Sequence, residues 1–393
     1  MRISNLLAIL MAAISAPVIA QHTVVIKVGG RPDFLKSEDF FITGRFQKWQ
    51  PGEDKWQVKI NSDGDHVIVI KDVKSGLLEY KFTRGNWKTL ESTADGRLVA
   101  PRSAIITKDT VIEARIEGWR DHFPASTASA QVQVLDTAMY IPQLKRTRTV
   151  RIYLPKDYKT SKRKYPVLYM HDGQDLFDEA TSEGRIGPLE WGVDETIDAA
   201  GKGCIVVATD HHADKKMRIK EYYTNANSEN KGVEGKAYLE FIVKTLKPLI
   251  DKQYRTIPDK KHTAMAGSSM GGLLTFYAGL YYPDVFGSLG VLSPSVWLDE
   301  RNIYRELEQL KSDSQIHNQR YYFYAGGNEN RMKPDSSFVR MHDDVKATSD
   351  ILKEKVNPDL QIAINPSGRH GAWYWRMAFP AFYKWLSEGW EEK

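Results

Sequence analysis

The sequence predicts an all-β sandwich followed by an α/β region with a mostly parallel sheet. Three observations support this prediction. The 393 residues exceed the length of one typical domain. Short runs of alternating apolar and polar residues fill residues 21–121. From about Val132 to the C-terminus, strand-like runs alternate with helix-like stretches, which is typical of a parallel sheet with helices on both faces.

The first twenty residues have the pattern of a secretory signal. Arg2 supplies a positive charge, and Leu6 to Ile14 form an apolar run that is too short to span a bilayer. Val18-Ile19-Ala20 suits cleavage before Gln21. We therefore expect residues 1–20 to be removed and the protein to be secreted or periplasmic, whereas a retained segment would tether it. No later segment predicts a membrane span.

Residues 21–121 predict the β-sandwich, because short alternating runs are separated by turn residues such as Asp63-Gly64-Asp65. The alternating runs are Thr23–Val28, Trp56–Ile60, His66–Ile70 and Val111–Ile116. Residues 122–131 contain Pro124 and several Ser and Thr residues, which predicts a linker.

The α/β region, residues 132–393, contains Gly267-Ser268-Ser269-Met270-Gly271, which fits the pattern G-x-S-x-G. The apolar run His262–Ala266 before it predicts a buried strand, and Gly272–Leu280 after it predicts a helix. In this setting the turn presents its central serine, and the glycines let strand and helix pack closely. We therefore predict that Ser269 is a nucleophile.

A serine nucleophile needs a histidine base, an acid that orients the base, and donors for the oxyanion. The expected chain order is serine, acid, histidine, and three histidines follow Ser269. His317 lies in a polar stretch, and His342 lies in a predicted helix. His370 lies in a loop between the strand-like run Leu360–Ile364 and a final helical pattern. This position favours His370 as the base.

The acid is predicted from its place after a strand. Glu329 follows the strand-like run Tyr321–Ala325 and lies between nucleophile and base in the sequence. Asp335, Asp343 and Asp344 lie close downstream and remain alternatives.

The oxyanion hole is predicted to use two backbone N–H groups. One belongs to Met270, directly after the nucleophile. The second is assigned to Gly173 or Gln174, in a loop that follows an early strand. The side chains of Asp172 and Asp175 are expected to fix this loop rather than to perform chemistry.

These stretches together resemble the putative-esterase family of α/β-hydrolases, which includes feruloyl and acetylxylan esterases, enterochelin-type siderophore esterases and mycolyltransferases. The matching stretches are His171–Phe177, Trp191–Glu195, Arg218 with Glu221-Tyr222, Leu246–Asp251 with Tyr254–Thr256, Ala266–Gly272, Leu292–Ser295, and His370 with Trp373. The resemblance implies the α/β-hydrolase fold, with Ser269 as nucleophile, His370 as base and Glu329 as orienting acid. Arg218 and Glu221 are expected either to line the pocket or to form an ion pair.

The β region resembles starch- or glycogen-binding carbohydrate modules. The resemblance is carried by Phe41–Phe46 with Trp49, and by Leu78–Phe82 with Trp87. It implies that Trp49 and Trp87 stack on sugar. The alternative is that both tryptophans belong to the core of the sandwich.

Composition excludes several other classes of function. The formal net charge of +5 is small for this length, so nucleic acid is not an expected partner. The single cysteine, Cys204, cannot form an internal disulfide. His211-His212 with Asp214 has no third ligand at a useful spacing, so no metal site is predicted. No nucleotide-binding fingerprint is present, so no organic cofactor is predicted.

The sequence therefore predicts a secreted serine carboxylic-ester hydrolase that works through an acyl-enzyme. Acyl groups on polysaccharide and siderophore esters are the expected substrates, and carbohydrate is an expected partner of the β region. One alternative is an acyl transferase on the same scaffold. A second is a non-catalytic carbohydrate-binding protein, against which the joint presence of Ser269, Glu329 and His370 argues.

Overall fold

The computed structural model describes residues 20–30, 39–184, 186–226, 231–311, 314–332 and 338–390. The chain divides into two units, the first ending at Pro124 and the second beginning at Ala125. This boundary falls within the segment expected to be a linker. The predicted signal segment lies outside the described residues except for its last residue, Ala20. Among the helices of the described ranges, none is long and apolar enough to cross a membrane.

The first unit is built from strands and short 3₁₀ turns. Its described strands are β1 Gln21–Gly30, β2 Phe41–Gly44, β3 Lys59–Ile60, β4 His66–Lys74, β5 Gly76–Thr83, β6 Glu91–Ser92, β7 Arg102–Ile106, β8 Thr110–Ile116 and β9 Gly118–Trp119. They form a four-stranded sheet in the order β3-β4-β1-β8, a three-stranded sheet in the order β2-β5-β7, and the pair β6-β9. The pair β1–β8 is parallel, whereas β1–β4 is antiparallel.

The two larger sheets of this unit share one hydrophobic core. Ile26 of β1 and Ile70 of β4 contribute from one sheet, and Ile42 of β2 and Phe82 of β5 contribute from the other. All four side chains are buried. Inward residues from two sheets in one core define a sandwich, which confirms the predicted β fold.

One predicted strand of the sandwich is shorter than expected. Only Lys59–Ile60 of the run Trp56–Ile60 is a strand, because Trp56 ends the 3₁₀ helix Asp54–Trp56. The indole of Trp56 packs edge-on against Phe46, with ring centroids 4.7 Å apart. This tertiary contact overrides the local alternation of apolar residues.

The second unit is organised around one eight-stranded sheet. Its strands are β10 Val132–Ile141, β11 Arg146–Tyr153, β12 Val167–His171, β13 Ile205–Thr209, β14 Thr263–Ser268, β15 Ser288–Leu292, β16 Arg320–Gly326 and β19 Asp359–Asn365. Their order is β10-β11-β13-β12-β14-β15-β16-β19. In this order, all neighbouring pairs from β13 to β19 are parallel, and β11 is antiparallel to both β10 and β13. A separate hairpin pairs β17 Asn330–Met332 with β18 Phe338–Arg340.

Helices cover both faces of this sheet. They are α1 Val193–Ala200, α2 Lys215–Tyr222, α3 Gly235–Phe241, α4 Lys247–Gln253, α5 Met270–Tyr281, α6 Asn302–Glu308, α7 Met341–Lys355 and α8 Ala372–Gly389. A π-helical turn, Ile242–Leu246, joins α3 to α4. Tyr169 of β12 packs in one hydrophobic cluster with α5, whereas its neighbour Leu168 packs in a second cluster with α8. This two-sided burial confirms the predicted α/β-hydrolase architecture.

The carboxyl ends of the parallel strands meet at one edge of the sheet. Six parallel strands, β12 to β16 and β19, each end there next to polar residues. In open α/β sheets this edge is where ligands bind.

Candidate active site

Ser269 lies at a strained turn between β14 and α5. Its backbone has φ 57° and ψ −120°, which is unfavourable for a residue with a side chain. A Cβ on Gly267 would lie 2.8 Å from the backbone of Gly271, and one on Gly272 would lie 2.6 Å from the carbonyl oxygen of Leu292. Both positions therefore require glycine: Gly267 is the first glycine of the G-x-S-x-G pattern, and Gly272 directly follows its second glycine, Gly271.

The side chains of Ser269, His370 and Glu329 form a continuous hydrogen-bonded line. His370 Nε2 lies 2.9 Å from Ser269 Oγ, and His370 Nδ1 lies 3.0 Å from Glu329 Oε2. An ionised carboxylate can only accept, so Nδ1 carries the ring proton and Nε2 offers its lone pair to the serine. The imidazole side chain is 18% exposed. The imidazole is therefore partly exposed, and its Nε2 can accept the proton of the serine hydroxyl.

Glu329 is held by hydrogen bonds on its second carboxylate oxygen. Its side chain is fully buried. Oε1 accepts from the Ser293 hydroxyl at 2.6 Å and from the backbone N–H of Gly326 at 2.8 Å. These donors fix the carboxylate and leave Oε2 for His370.

The other candidates for base and acid lie elsewhere among the described residues. His317 is exposed on the 3₁₀ helix Gln315–Asn318. His342 and Asp343 are neighbours on α7, and His342 Nε2 lies 3.2 Å from Asp343 Oδ1. Asp344, also on α7, pairs with Arg301 at 3.0 Å. Asp335 lies outside the described residues.

The predicted oxyanion loop lies against the nucleophile turn. Gly173 and Gln174 begin a 3₁₀ turn directly after β12. A Cβ on Gly271 would lie 3.3 Å from Asp172 Oδ2, so this loop contacts the start of α5. Among the described residues, the N–H groups of Gly173, Gln174 and Met270 make no backbone hydrogen bond outside their own helical turns. They stay the predicted donors to an oxyanion.

Asp172 fixes the start of this loop. Its backbone is left-handed, with φ 58°. Arg218 of α2 donates two hydrogen bonds to its carboxylate, at 2.8 and 2.9 Å, and the Tyr222 hydroxyl donates a third at 3.1 Å. Burial acts to raise the pKa of Asp172, but the guanidinium of Arg218 outweighs it and lowers the pKa to about 2. The carboxylate is therefore ionised and fixed.

This pairing resolves the two expectations for Arg218 and Glu221. Arg218 forms an ion pair, but with Asp172 of the oxyanion loop. Glu221 pairs with Arg146 at 2.8 Å and with Arg148, which tie α2 to β11. Both residues are structural anchors of the same helix.

His171 is an unusual neighbour of this loop. It is buried between Tyr222 and Tyr238, with ring centroids 5.4 and 5.8 Å away. Neither ring nitrogen has a hydrogen-bond partner among the described residues. Burial lowers the pKa of His171 to about 4, so the ring is neutral at pH 7.

Three residues, Ser293, Ser295 and Trp375, contact the triad, and the sequence predicts no contact of this kind for them. Ser295 Oγ lies 3.1 Å from Ser269 Oγ. Trp375 Nε1 donates to Ser293 Oγ at 3.0 Å, and its ring packs edge-on against His370 at 5.0 Å between centroids. The stretch Leu292–Ser295 was part of the family resemblance, which was the only sequence signal for the two serines.

A polar cavity of about 380 Å³ lies beside the oxyanion loop. Gln174 forms part of its wall, and the Gln174 side chain accepts from the backbone N–H of His211 at 3.0 Å. Arg151 and Asp210, paired at 2.8 Å, form another part. This cavity therefore presents hydrogen-bonding groups whose charges largely cancel.

His211, His212 and Asp214 form a hydrogen-bonded loop. His211 Nδ1 lies 2.7 Å from the His212 carbonyl oxygen, and the Asp214 N–H donates to His212 Nδ1 at 2.8 Å. Within the described ranges, no cluster of three or more His, Cys, Asp or Glu residues is arranged to hold a metal. Cys204 is buried, and burial raises the pKa of its thiol to about 12.

Trp49 and Trp87 lie in neighbouring loops of the β-sandwich. Both are half-buried and lie outside the hydrophobic core, which contains Trp119 and against which Trp56 packs. A Cβ on Gly52 would overlap the carbonyl of Gly85, so the two loops are in contact. The structure thus brings the two tryptophan loops together, and sugar binding there stays a prediction.

Comparison with known proteins gives concordant matches. A sequence model of the family described as Putative esterase matches residues 141–386, more than half of the chain. Bacillus subtilis YbbA, an uncharacterized protein, is 25% identical over 241 residues, covering 61% of this chain and 92% of YbbA. The endo-1,4-β-xylanase/feruloyl esterase of Xylanibacter ruminicola is 31% identical over 167 residues, covering 39% of this chain and 20% of that protein.

Among solved structures, the enterobactin esterase FES of Shigella flexneri matches with a TM-score of 0.52 and 15% identity. The match covers 94% of this chain and 92% of that chain. At this identity the likeness shows the fold alone.

Proposed function

Because the chain belongs to the Putative esterase family, we propose that it hydrolyses carboxylic esters with Ser269 as nucleophile, His370 as base and Glu329 as orienting acid. The observation that carries this proposal is the line of hydrogen bonds from Ser269 Oγ through His370 to Glu329, at 2.9 and 3.0 Å. This arrangement has the geometry of a serine–histidine–acid triad.

In the first half of the reaction, Ser269 Oγ attacks the ester carbonyl carbon while His370 Nε2 takes the hydroxyl proton. The carbonyl π electrons move to the oxygen, which the N–H groups of Met270 and of Gly173 or Gln174 stabilise. As the tetrahedral intermediate collapses, the bond to the alcohol oxygen breaks. That oxygen takes the proton from His370, and an acyl-enzyme remains.

In the second half, water replaces the alcohol. His370 takes a proton from the water, whose oxygen attacks the acyl carbon. Collapse of the second intermediate breaks the bond to Ser269 Oγ, which regains its proton from His370. The products are a carboxylic acid, an alcohol and the original enzyme.

The alcohol part of the substrate is proposed to be rich in hydroxyl groups. The polar cavity beside Gln174 offers paired donors and acceptors such as Arg151 and Asp210, which suit an uncharged polyol. The feruloyl esterase relative supports feruloylated polysaccharide as the first ester to examine. Sugar stacking on Trp49 and Trp87 would hold such a polymer, and the signal-like segment would bring the enzyme to it outside the cytoplasm.

The test compares Ser269→Ala with Ser268→Ala on a chromogenic acetate ester. Ser268 is a buried serine in the same turn, so it controls for local packing. We expect Ser269→Ala to stay folded and to lose at least about 10⁴-fold in kcat. Ser268→Ala should keep most activity. Turnover near that of the wild type in Ser269→Ala would refute the proposal. A panel of feruloyl, acetyl and siderophore esters then ranks the substrates.

A further inference from the structure

The turn Ser293-Pro294-Ser295, called here the serine turn, directly follows β15, and the turn and the last residue of β15 together make three hydrogen bonds with Ser269. The Ser269 N–H donates to the carbonyl oxygen of Leu292 at 3.0 Å. The Ser295 N–H donates to the Ser269 carbonyl oxygen at the same distance. The hydroxyl of Ser295, which is only 2% exposed, lies 3.1 Å from Ser269 Oγ.

The same turn holds the other end of the triad. Ser293 is completely buried and donates from its hydroxyl to Glu329 Oε1 at 2.6 Å. Its own oxygen accepts from Trp375 Nε1 at 3.0 Å. Its backbone is left-handed, with φ 44°, a strain that persists only where surrounding contacts impose it. Here the contact is its N–H, which donates to the Tyr324 carbonyl at 2.6 Å.

We propose that Ser295 is a further catalytic residue, whose hydroxyl donates a hydrogen bond to Ser269 Oγ during the reaction, and that Ser293 is a positioning residue for Glu329. This inference rests on the proposed function, because it requires Ser269 to be the nucleophile.

The direction of the Ser295–Ser269 bond follows from the tautomer of His370. His370 Nδ1–H donates to Glu329, so the neutral ring can only accept at Nε2. The Ser269 hydrogen therefore points to Nε2. A hydroxyl oxygen also has two lone pairs, and one of these accepts from the Ser295 hydroxyl.

This bond strengthens when negative charge develops on Ser269 Oγ. As the hydroxyl proton moves to His370, the oxygen becomes partly anionic until its bond to the acyl carbon is complete. A hydrogen bond to an ionised acceptor is shorter and roughly twice as strong as a neutral one. Charge returns to the same oxygen when it leaves the acyl group in the second half-reaction. Ser295 therefore assists both halves, without itself transferring a proton.

The test measures pre-steady-state kinetics of Ser295→Ala, Ser295→Cys and Ser293→Ala with a chromogenic acetate ester. Ser295→Cys keeps the shape of the side chain, with a slightly larger sulfur atom that donates only weakly. We expect both Ser295 variants to slow acylation and deacylation about 10- to 100-fold. KM, corrected for any change in the ratio of the acylation rate to the deacylation rate, should stay within about twofold, because Ser295 is only 2% exposed. Ser293→Ala should lower kcat about tenfold with little change in KM.

Two controls keep the outcomes distinct. Ser288→Ala removes a buried hydroxyl at the opposite end of β15 and should leave all rates unchanged. Full activity in both Ser295 variants, with Ser269→Ala inactive, would overturn this inference alone. Activity lost in Ser295→Ala but restored in Ser295→Cys would also overturn it, because packing would then be the cause. An active Ser269→Ala would instead overturn the proposed function.

Discussion

The substitution Asp172→Asn should show whether the ion pair between Asp172 and Arg218 only stabilises the fold or also positions the oxyanion loop. The substitution keeps the shape of the side chain but removes its charge. Arg218, whose side chain is 18% exposed, would then be left beside a neutral amide. Because Asp172 directly precedes Gly173, any relaxation of this pair moves the N–H groups that are proposed to bind the oxyanion.

Two arguments give the size of the effect on stability. The pKa of Asp172 falls from 3.8 to about 2, which corresponds to about 2 kcal/mol favouring the ionised carboxylate. Removing one partner of a buried ion pair costs about 3–5 kcal/mol, because the other charge is left uncompensated. Folded domains have about 5–15 kcal/mol of stability, so we expect the variant to fold but to unfold at much lower urea.

The effect on catalysis is expected to be larger than a general loss of stability would cause. A misplacement of about 1 Å at a catalytic group costs about 100-fold in rate. Asp344→Asn is the matched control, since Asp344 is also buried and pairs with an arginine, Arg301, at 3.0 Å, but lies on α7 and not on the oxyanion loop.

The assay is urea denaturation together with kcat/KM for a chromogenic ester at pH 7. Asp172→Asn should lose stability and about 100-fold in kcat/KM. Asp344→Asn should lose stability and keep its rate within about threefold. If Asp172→Asn matches Asp344→Asn in both measurements, the pair is an ordinary structural ion pair and the reasoning about the loop is refuted.

Three further predictions concern other residues. Glu329→Gln should fold normally and lower kcat about 10⁴-fold, because the base loses its orienting carboxylate. If Glu329→Gln keeps its activity and Asp343→Asn loses it, the orienting acid is Asp343 and not Glu329. His171 should make the free energy of unfolding rise with pH between about 4 and 6.5, because the unfolded chain binds a proton on this histidine that the folded chain excludes. The rise over this pH range should total about 3 kcal/mol. His171→Gln should reduce this pH dependence when stability is measured by urea denaturation. Trp49→Ala and Trp87→Ala should weaken retention on insoluble polysaccharide and keep turnover of a small ester, and unchanged retention would place sugar binding elsewhere.

The sequence predicts most of the site because its chemistry lies at strand ends. Glu329 follows β16, and His370 lies between β19 and α8. Parallel strands bring their carboxyl ends to one edge, so polar residues after successive strands converge without any long-range information. The turn around Ser269 was also recognisable, and the structure moves its boundaries by one or two residues: β14 extends to Ser268 and α5 begins at Met270.

The contacts that surround Ser269, Glu329 and His370 could not be predicted from the sequence. Arg218 reaches Asp172 from α2, and Trp375 reaches Ser293 from α8. Such pairs depend on how helices pack over the sheet, and no local pattern specifies them. The strained backbone of Ser293 is a further case, because a serine in the left-handed region carries no signal of its own.

The most direct test of the central claim is the site at which a fluorophosphonate reacts. An activated serine displaces fluoride and forms a stable bond to phosphorus, so the labelled peptide identifies the nucleophile by mass spectrometry. The account predicts one label, on Ser269 of the wild type, that His370→Ala abolishes. A label on another residue, or equal labelling of Ser269 in His370→Ala, would contradict it.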